Sequence, residues 1–257
     1  MVESADRVLR ILQSFVPNER DVSLTDIAER VQLPKSSVHR LLMTLIDHGF
    51  VERDASTRRY SLGIKLFELG STAIHGRGLH GAAQPALEEL SRATAETSHL
   101  AVLSGTDAVY VYKVEGPSSI SMTSRVGGRA PVHATSIGKV LTAWSSPEEM
   151  AVLRNAPMQA TTRYTITSVR AFDEELRRVR ASGYALDLEE FEIGLRCIAA
   201  PVRDQSARVI AAVGIAGPSS RLDDARLSKL VPMVVDAADL LSRNLGFMPD
   251  RLTARIV

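Results

Sequence analysis

The chain has 257 residues, a formal net charge of +1, and 45% hydrophobic against 24% charged residues. That is chain enough for one large domain or two ordinary ones, and too apolar for a disordered polymer. One cysteine, Cys197, excludes a disulfide scaffold and a cysteine zinc finger, and the longest apolar run, Val209 to Ala216, is far short of the ~20 residues of a membrane-spanning helix.

The N-terminal residues MVESADRVLR carry Glu3 and Asp6 and lack an apolar core with a cleavage site. A secretory signal is not expected, and the expected location is cytoplasmic. With so little net charge, any case for nucleic acid must come from local arrangement.

Residues 1–62 read as three short helices and a hairpin. Leu9, Ile11, Leu12 and Phe15 recur at near-helical spacing and predict a first helix over Ala5 to Phe15. Asn18 to Val22 reads as a polar loop. Ser23, with Asp26 three residues on, resembles a capping arrangement for a helix over Leu24 to Val31. Gln32-Leu33-Pro34 is a break, with Pro34 suited to the first position of the next helix. That third helix spans Lys35 to His48. Val38, Leu41, Leu42, Leu45 and Ile46 form its apolar stripe; Ser36, Ser37, Arg40 and Thr44 lie opposite, flanked by Lys35 and His39. Gly49 suits a left-handed C-cap. Two short strands, Phe50 to Arg53 and Tyr60 to Leu62, bracket the polar turn DASTRR, with Arg58 and Arg59 near its tip.

This order is that of a winged helix-turn-helix. A helix about 10–12 Å across matches a major groove ~12 Å wide, and hydroxyls with a guanidinium are what base edges and phosphates require. Arg40 reads a guanine or holds a phosphate; both fit its side chain. The segment is charge-balanced, with nine bases and nine acids, yet the charges are segregated. Four acids lie between Glu19 and Glu29, whereas Lys35 to Arg40 contains none.

Residues 63–78 predict a connecting helix with a broad apolar face of Ile64, Leu66, Phe67, Leu69, Ala73 and Ile74. Such a face packs on something, and a second copy of the chain is the economical choice. Residues 79–257 form the second domain. A helix over Leu79 to Thr97 is followed by strands over His99 to Leu103, Ala108 to Val114 and Ile120 to Val126, the last ended by Gly127-Gly128. Helices follow over Thr135 to Ala143, after Ser146 (with Glu149 reaching back), and over Phe172 to Ser182 before Gly183. Tyr184 to Leu188, Cys197 to Pro201 and Val209 to Gly217 are strands, and Leu222 to Leu245 is a closing helix. The pattern predicts an α+β domain built on an antiparallel sheet.

The segments SADRVLRIL, LTDIAERVQLPKSSVHRLLMTLIDHGFVERD, RRYSLG, RAPVHATSIGK, GYALDLEEFEIGLRCIAAPV and IAAVGIAGP resemble the signature blocks of the IclR family of bacterial transcriptional regulators. They run in order from residue 4 to about residue 218. The resemblance implies an N-terminal winged helix-turn-helix, a C-terminal GAF-like effector domain, and a homodimer or dimer of dimers. Promoter DNA is the implied partner, and a small-molecule effector, a carboxylic acid, modulates the affinity. No catalytic residue, metal, cofactor or membrane contact is implied. The DNA-contacting positions are Lys35, Ser36, Ser37, His39, Arg40, Thr44, Arg58 and Arg59.

The same resemblance places the effector against Ser136, Ile137, Asp187, Cys197, Gly214 and Ala216. Gly214 and Ala216 are two apart on a strand and share a face. Ser136 stands at a helix N-terminus, where backbone N–H groups suit a carboxylate. Relatives that bind small oxo-acids usually have serines at the two strand positions, so Gly214 and Ala216 predict a roomier site for a bulkier or less polar acid. The residues alone leave alternatives open. Cys197 fits inert packing, Asp187 a solvated loop acid, His99 and His133 structural or surface roles, and Lys139 a local cap or ion pair. A Cys197–His133 nucleophile pair is the enzyme alternative, and a mid-strand cysteine argues against it.

Overall fold

The computed structural model describes residues 2–16, 19, 21–75, 79–117 and 125–248. The chain divides into two compact units, Met1–Arg77 and Gly78–Val257.

In the first unit, α1 (Glu3–Gln13), α2 (Leu24–Val31) and α3 (Lys35–Asp47) pack around Ile11, Val22, Ile27, Val31, Val38 and Leu42, each at most 2% exposed. Burying one such aliphatic side chain is worth about 1.5–3 kcal/mol, which is what fixes three short helices that would be marginal alone. Leu9 departs from its expected place in this core. It is 57% exposed, because the buried side of α1 is centred on Ile11. Ser23 caps α2 through a reciprocal box with Asp26. Gln32 takes a left-handed conformation at the end of α2, and Pro34 is the N-cap of α3 rather than its first residue. Gly49 follows α3 at φ +74, a conformation that strains any residue with a Cβ.

The hairpin β1 (Val51–Arg53) and β2 (Tyr60–Leu62) is antiparallel, and Val22 bridges to Tyr60 on its other side. The turn between the strands is shaped by Asp54. Its Oδ1 accepts from Ser56 N at 2.9 Å and Thr57 N at 2.7 Å, and these bonds with the two hydroxyls hold its carboxyl down at about 2. The helix α4 (Lys65–His75) follows, with Ile64, Phe67 and Leu69 exposed. The side chains of Ala73 and Ile74 lie outside the described residues.

The second unit is built on a six-stranded antiparallel sheet of order β5-β4-β3-β8-β7-β6. Its strands are β3 (Thr97–Ser104), β4 (Asp107–Val114), β5 (Arg129–Pro131), β6 (Ala185–Leu188), β7 (Leu195–Arg203) and β8 (Val209–Pro218). The strand expected over Ile120 to Val126 falls largely on residues outside the description; Val126 itself is in a turn. The short β5 was not foreseen, since three residues with a proline carry no alternation.

Alternation sorts the sheet into two faces. Leu100, Ile198, Ala200, Val213 and Ile215 join α5 (Leu79–Thr94) and α9 (Asp224–Asn244) in one core. Ala101, Ala199 and Ala212 join α6 (Ser136–Ala143), α7 (Pro147–Asn155) and α8 (Val169–Ser182) in the other. The α6 face carries the site described next.

Candidate functional site

Two places bring the expected residues together. The first is the outer side of α3. Lys35, Ser36, His39, Arg40, Met43 and Thr44 are exposed there and Ser37 is half-buried, while Val38, Leu42 and Leu45 point inward. Among the described residues, neither Lys35 nor Arg40 has an ion-pair partner. This face therefore presents Lys35 and Arg40 without ion-pair partners, while the Thr44 hydroxyl donates to Arg40 O at 3.4 Å. Met43 was not foreseen; at helical spacing it adds an apolar contact beside Arg40. Thr44 stands at the edge, lining a shallow groove with Ser4, Ala5, Val8, Leu9 and Leu41.

The two arginines of the hairpin turn differ. Arg58 is exposed at φ +58, presented by the Asp54 clasp. Arg59 is engaged within the unit: its Nε binds the Asp21 carboxylate and its Nη2 donates to Asp21 O at 3.1 Å. That pairing ties the hairpin to the segment before α2 and leaves Arg58 as the freer cation.

The second place is a part-enclosed cavity of about 40 Å³ on the α6 face of the sheet. Ser136, Ile137, Asp187, Cys197 and Ala216 line it, as do His99, Tyr110, Arg129, Thr135 and Phe191, which sequence reasoning did not assign. Register explains the convergence. Asp187, Cys197, Ala216 and Thr97 form one rung across four strands; Ala199, Gly214 and His99 form the rung two residues on. Of the small residues on these rungs, Ala216 lines the cavity.

Gly214 lies on the right face but does not line the cavity. A Cβ there would sit 2.3 Å from Ile198 O and 3.2 Å from Ala199 Cα, so glycine at 214 lets β7 and β8 approach and adds no room for ligand. The expectation of a roomier pocket is corrected on this point. The volume has space for roughly three ordered waters at ~10–15 Å³ each.

The roof is the N-terminus of α6. Thr135 caps it, its hydroxyl accepting from Gly138 N at 3.1 Å and its carbonyl from Lys139 N at 2.9 Å. Those bonds satisfy two of the first four amides of the helix and leave the N–H groups of Ser136 and Ile137. Gly138 permits this approach: a Cβ would meet Val132 Cα at 2.3 Å.

Burial disfavours the charged forms of four lining groups, in a lining that also includes Arg129 and Glu192. Burial first, and then neighbouring Glu190, push the Asp187 carboxyl up to about 7 against the bonds it accepts. Burial pushes the Cys197 thiol well up, with Asp187 adding to it. Burial, with Lys113, lowers His99 to about 4. Tyr110 is also raised by burial, and its ring stands edge-on to His99 at 5.3 Å and 79°.

The segment after β6 is fixed from outside the cavity. Lys139, 1% exposed, binds Glu190 Oε1 at 2.5 Å and Leu186 O at 2.8 Å. Hydroxyls of Thr161, Thr162 and Thr165 donate to the carbonyls of Glu189 and Glu190 at 2.6–2.9 Å. Lys139 is thus an ion-pair partner, one of the two roles its sequence context allowed. His133 binds Gln159 O at 3.0 Å and does not line the cavity, so the Cys197–His133 pairing has no geometry behind it.

A helix-turn-helix unit with an open polar helix face, joined to a second unit with a buried polar cavity, defines a transcription regulator with a separate effector-binding domain. Comparison with known proteins supplies the family. The IclR helix-turn-helix domain matches residues 4–55, and the C-terminal domain of the bacterial transcriptional regulator IclR matches residues 71–243. The chain is 40% identical over 248 residues to the HTH-type transcriptional regulator XynR of Escherichia coli K12, covering 96% of this chain and 98% of that one. It is 40% identical over 247 residues to the KdgR regulator of the same organism, covering 96% and 94%. Among solved structures, an IclR homolog from Microbacterium hydrocarbonoxydans complexed with 4-hydroxybenzoate superposes with a TM-score of 0.85 at 29% identity, covering 95% and 99%. The chain belongs to the IclR family of bacterial transcriptional regulators. These domains and relatives are regulators of transcription, not enzymes. No helix among the described residues is long and apolar enough to cross a membrane.

Proposed function

We propose that the chain is a homodimeric regulator, or a dimer of dimers, whose grip on promoter DNA in the cytoplasm is changed by a small carboxylic acid bound in the α6 cavity. On the DNA side, Lys35, Ser36, Ser37, His39 and Arg40 of α3 meet the major groove, with Thr44 at the margin. Arg58 reaches the backbone from the hairpin, and Arg59 acts chiefly by holding that hairpin in place. The exposed apolar residues Ile64, Phe67 and Leu69 support self-association through α4, which sets two reading helices on two half-sites.

One observation carries the effector half: two amides of Ser136 and Ile137 remain at a helix N-terminus that opens onto a buried cavity. An anion there is favoured by the helix dipole and by both N–H groups. Asp187 and Cys197 add hydrogen-bonding capacity opposite, and below pH 7 protonated Asp187 does not repel an incoming carboxylate. A relative of the same fold holds 4-hydroxybenzoate, which is an acid. The cavity volume favours a short ligand. A thermal-shift and calorimetric series of small aliphatic and aromatic acids tests the reading. An acid at ~100 times its Kd stabilises the protein by about 2.7 kcal/mol. Absence of a shift with every acid overturns the effector half and leaves the DNA-binding half standing.

A further inference from the structure

The helix α3 carries one apolar side chain that the core does not use. Val38, Leu42 and Leu45 are buried, and Leu41 and Ile46 pack against the core of the unit. Met43 is 40% exposed on the opposite side. It stands three residues after Arg40 and seven, almost two turns, after Ser36, so the three side chains lie along one line of the helix. That line is the middle of the exposed face, with His39 to one side and Thr44 to the other. Leu41 and Thr44 border the groove against α1, and Met43 does not line it. We propose that Met43 is a specificity-determining residue of the DNA contact, and that it reads the 5-methyl group of a thymine in the major groove.

This inference rests on the reading of α3 given above, in which the helix enters the major groove, and adds a base to it. The chemistry selects thymine. The base edges in that groove present hydrogen-bond donors and acceptors, and the thymine C5-methyl is the apolar group among them. Seating α3 in the groove strips water from whatever lies opposite Met43. A thioether, at best a weak acceptor, does not replace that water, and a polar edge left unpaired is costly. Against a methyl group the same loss of water is favourable, because both surfaces are apolar. The unbranched, polarisable side chain of methionine adapts to the methyl without a fixed geometry. Position follows from the helix. Three residues advance about 4.5 Å along its axis and successive base pairs are about 3.4 Å apart, so the thymine falls within about two base pairs of the one opposite Arg40.

The test begins by selecting binding duplexes from a randomised library with the full wild-type chain. Each thymine of the selected duplex is then replaced in turn by deoxyuracil, which pairs as thymine does and lacks only the methyl. Removal of one buried methyl is expected to weaken binding by the wild-type chain about fourfold at one or more thymines of each half-site. Met43→Ala should lose a similar factor on the thymine duplex and respond no further to deoxyuracil at one of those positions. Met43→Leu, which keeps an apolar tip, should retain most of the methyl preference there. Alanine and leucine are both good helix formers, so the thermal midpoints should stay in place. If Met43→Ala shifts its midpoint, Met43→Gln takes its place. Indifference of the wild-type chain to deoxyuracil at every thymine overturns the proposal. So does a methyl preference that survives at every position in the folded Met43 variant, because the methyl is then read elsewhere. Either result leaves the α3 reading intact where Arg40→Ala weakens binding. Full affinity in Arg40→Ala and Met43→Ala alike, or a wild-type chain that enriches no sequence, overturns both.

Discussion

The N-terminal unit keeps its polar side chains outside: its buried residues are apolar apart from Ser14, and the groups offered to DNA stand exposed on α3. The C-terminal unit does the reverse. It buries Glu96, Ser98, His99, Thr135, Ser136, Lys139, Asp187 and Glu190; four of these line the candidate site (His99, Thr135, Ser136 and Asp187), and Lys139 with Glu190 supports it. The difference follows from the partners. A groove lined with phosphates is met at a surface, where donors need only be presented and remain hydrated until contact. A small acid gains enough binding only if water is excluded around it, so its recognition groups must be desolvated in advance and held by other buried groups.

The largest expected effect breaks the support of the buried site. Lys139→Ala leaves Glu190 inside without its ammonium, and the C-terminal unit should lose about 3–5 kcal/mol in urea unfolding. The first unit, followed through its DNA-binding signal, should be unchanged. Burial already pushes the Glu190 carboxyl upward against the pull of Lys139, so Lys139→Met with Glu190→Gln should recover most of the loss.

Next comes a pH experiment on two groups that titrate in opposition. Asp187 is raised from 3.8 to about 7, so the folded chain keeps a proton that the unfolded chain releases. Its stabilising contribution is complete below 3.8 and drains away as pH rises to 7. His99 is lowered from 6.5 to about 4, so its contribution is complete above 6.5 and is lost as pH falls to 4. In the wild-type chain the two slopes nearly cancel between pH 4 and 7. Asp187→Asn should expose the histidine, with stability falling by about 3 kcal/mol on acidification, and His99→Phe should expose the aspartate, with a fall of about 4 kcal/mol on raising the pH. A flat profile in Asp187→Asn would mean that His99 is not held neutral.

On the exposed side the effects are smaller and leave stability alone. Arg40→Ala should weaken operator binding by about 1–3 kcal/mol in a gel-shift titration without moving the thermal midpoint. A loss confined to the operator marks a base contact; an equal loss on all DNA marks a phosphate contact. Smallest is Arg59→Met. Its part-exposed pair with Asp21 is worth at most about 1 kcal/mol of stability. A uniform loss of DNA affinity beyond that of Arg58→Ala would show that Arg59 leaves Asp21 to reach a phosphate.

The two sites were unequally legible in the sequence. The α3 face could be read from a 3.6-residue period, a preceding proline and a terminating glycine, because nearest-neighbour geometry alone puts Ser36 and Arg40 opposite Val38 and Leu42. Met43 was readable by the same rule and was passed over. The pairing of Arg59 with Asp21 was not legible, because the two are distant in sequence and are brought together beside the Val22–Tyr60 bridge. In the second unit, Asp187, Cys197, Ser136 and Ile137 came from family resemblance, and no local pattern pointed to them. Gly214 was assigned to the correct face of β8 but given the wrong consequence: the neighbouring strand, not a ligand, occupies the space beside it. His99 was set aside as structural, since one histidine in an apolar strand carries no signal of what lies across from it.

By itself the sequence determined the two-part organisation, most of the helices and strands, the polar face of α3, and family membership, all of which depend on periodicity, caps and local motif order. The tertiary structure alone decided which residues enclose the cavity, that Lys139 holds Glu190, and that His99 and Asp187 line one cavity from different strands. The strand positions are brought together by register between segments more than a hundred residues apart, and the protonation of the buried groups is set by burial. Neither register nor burial can be computed from neighbours along the chain; both exist only once the sheet has closed against α6.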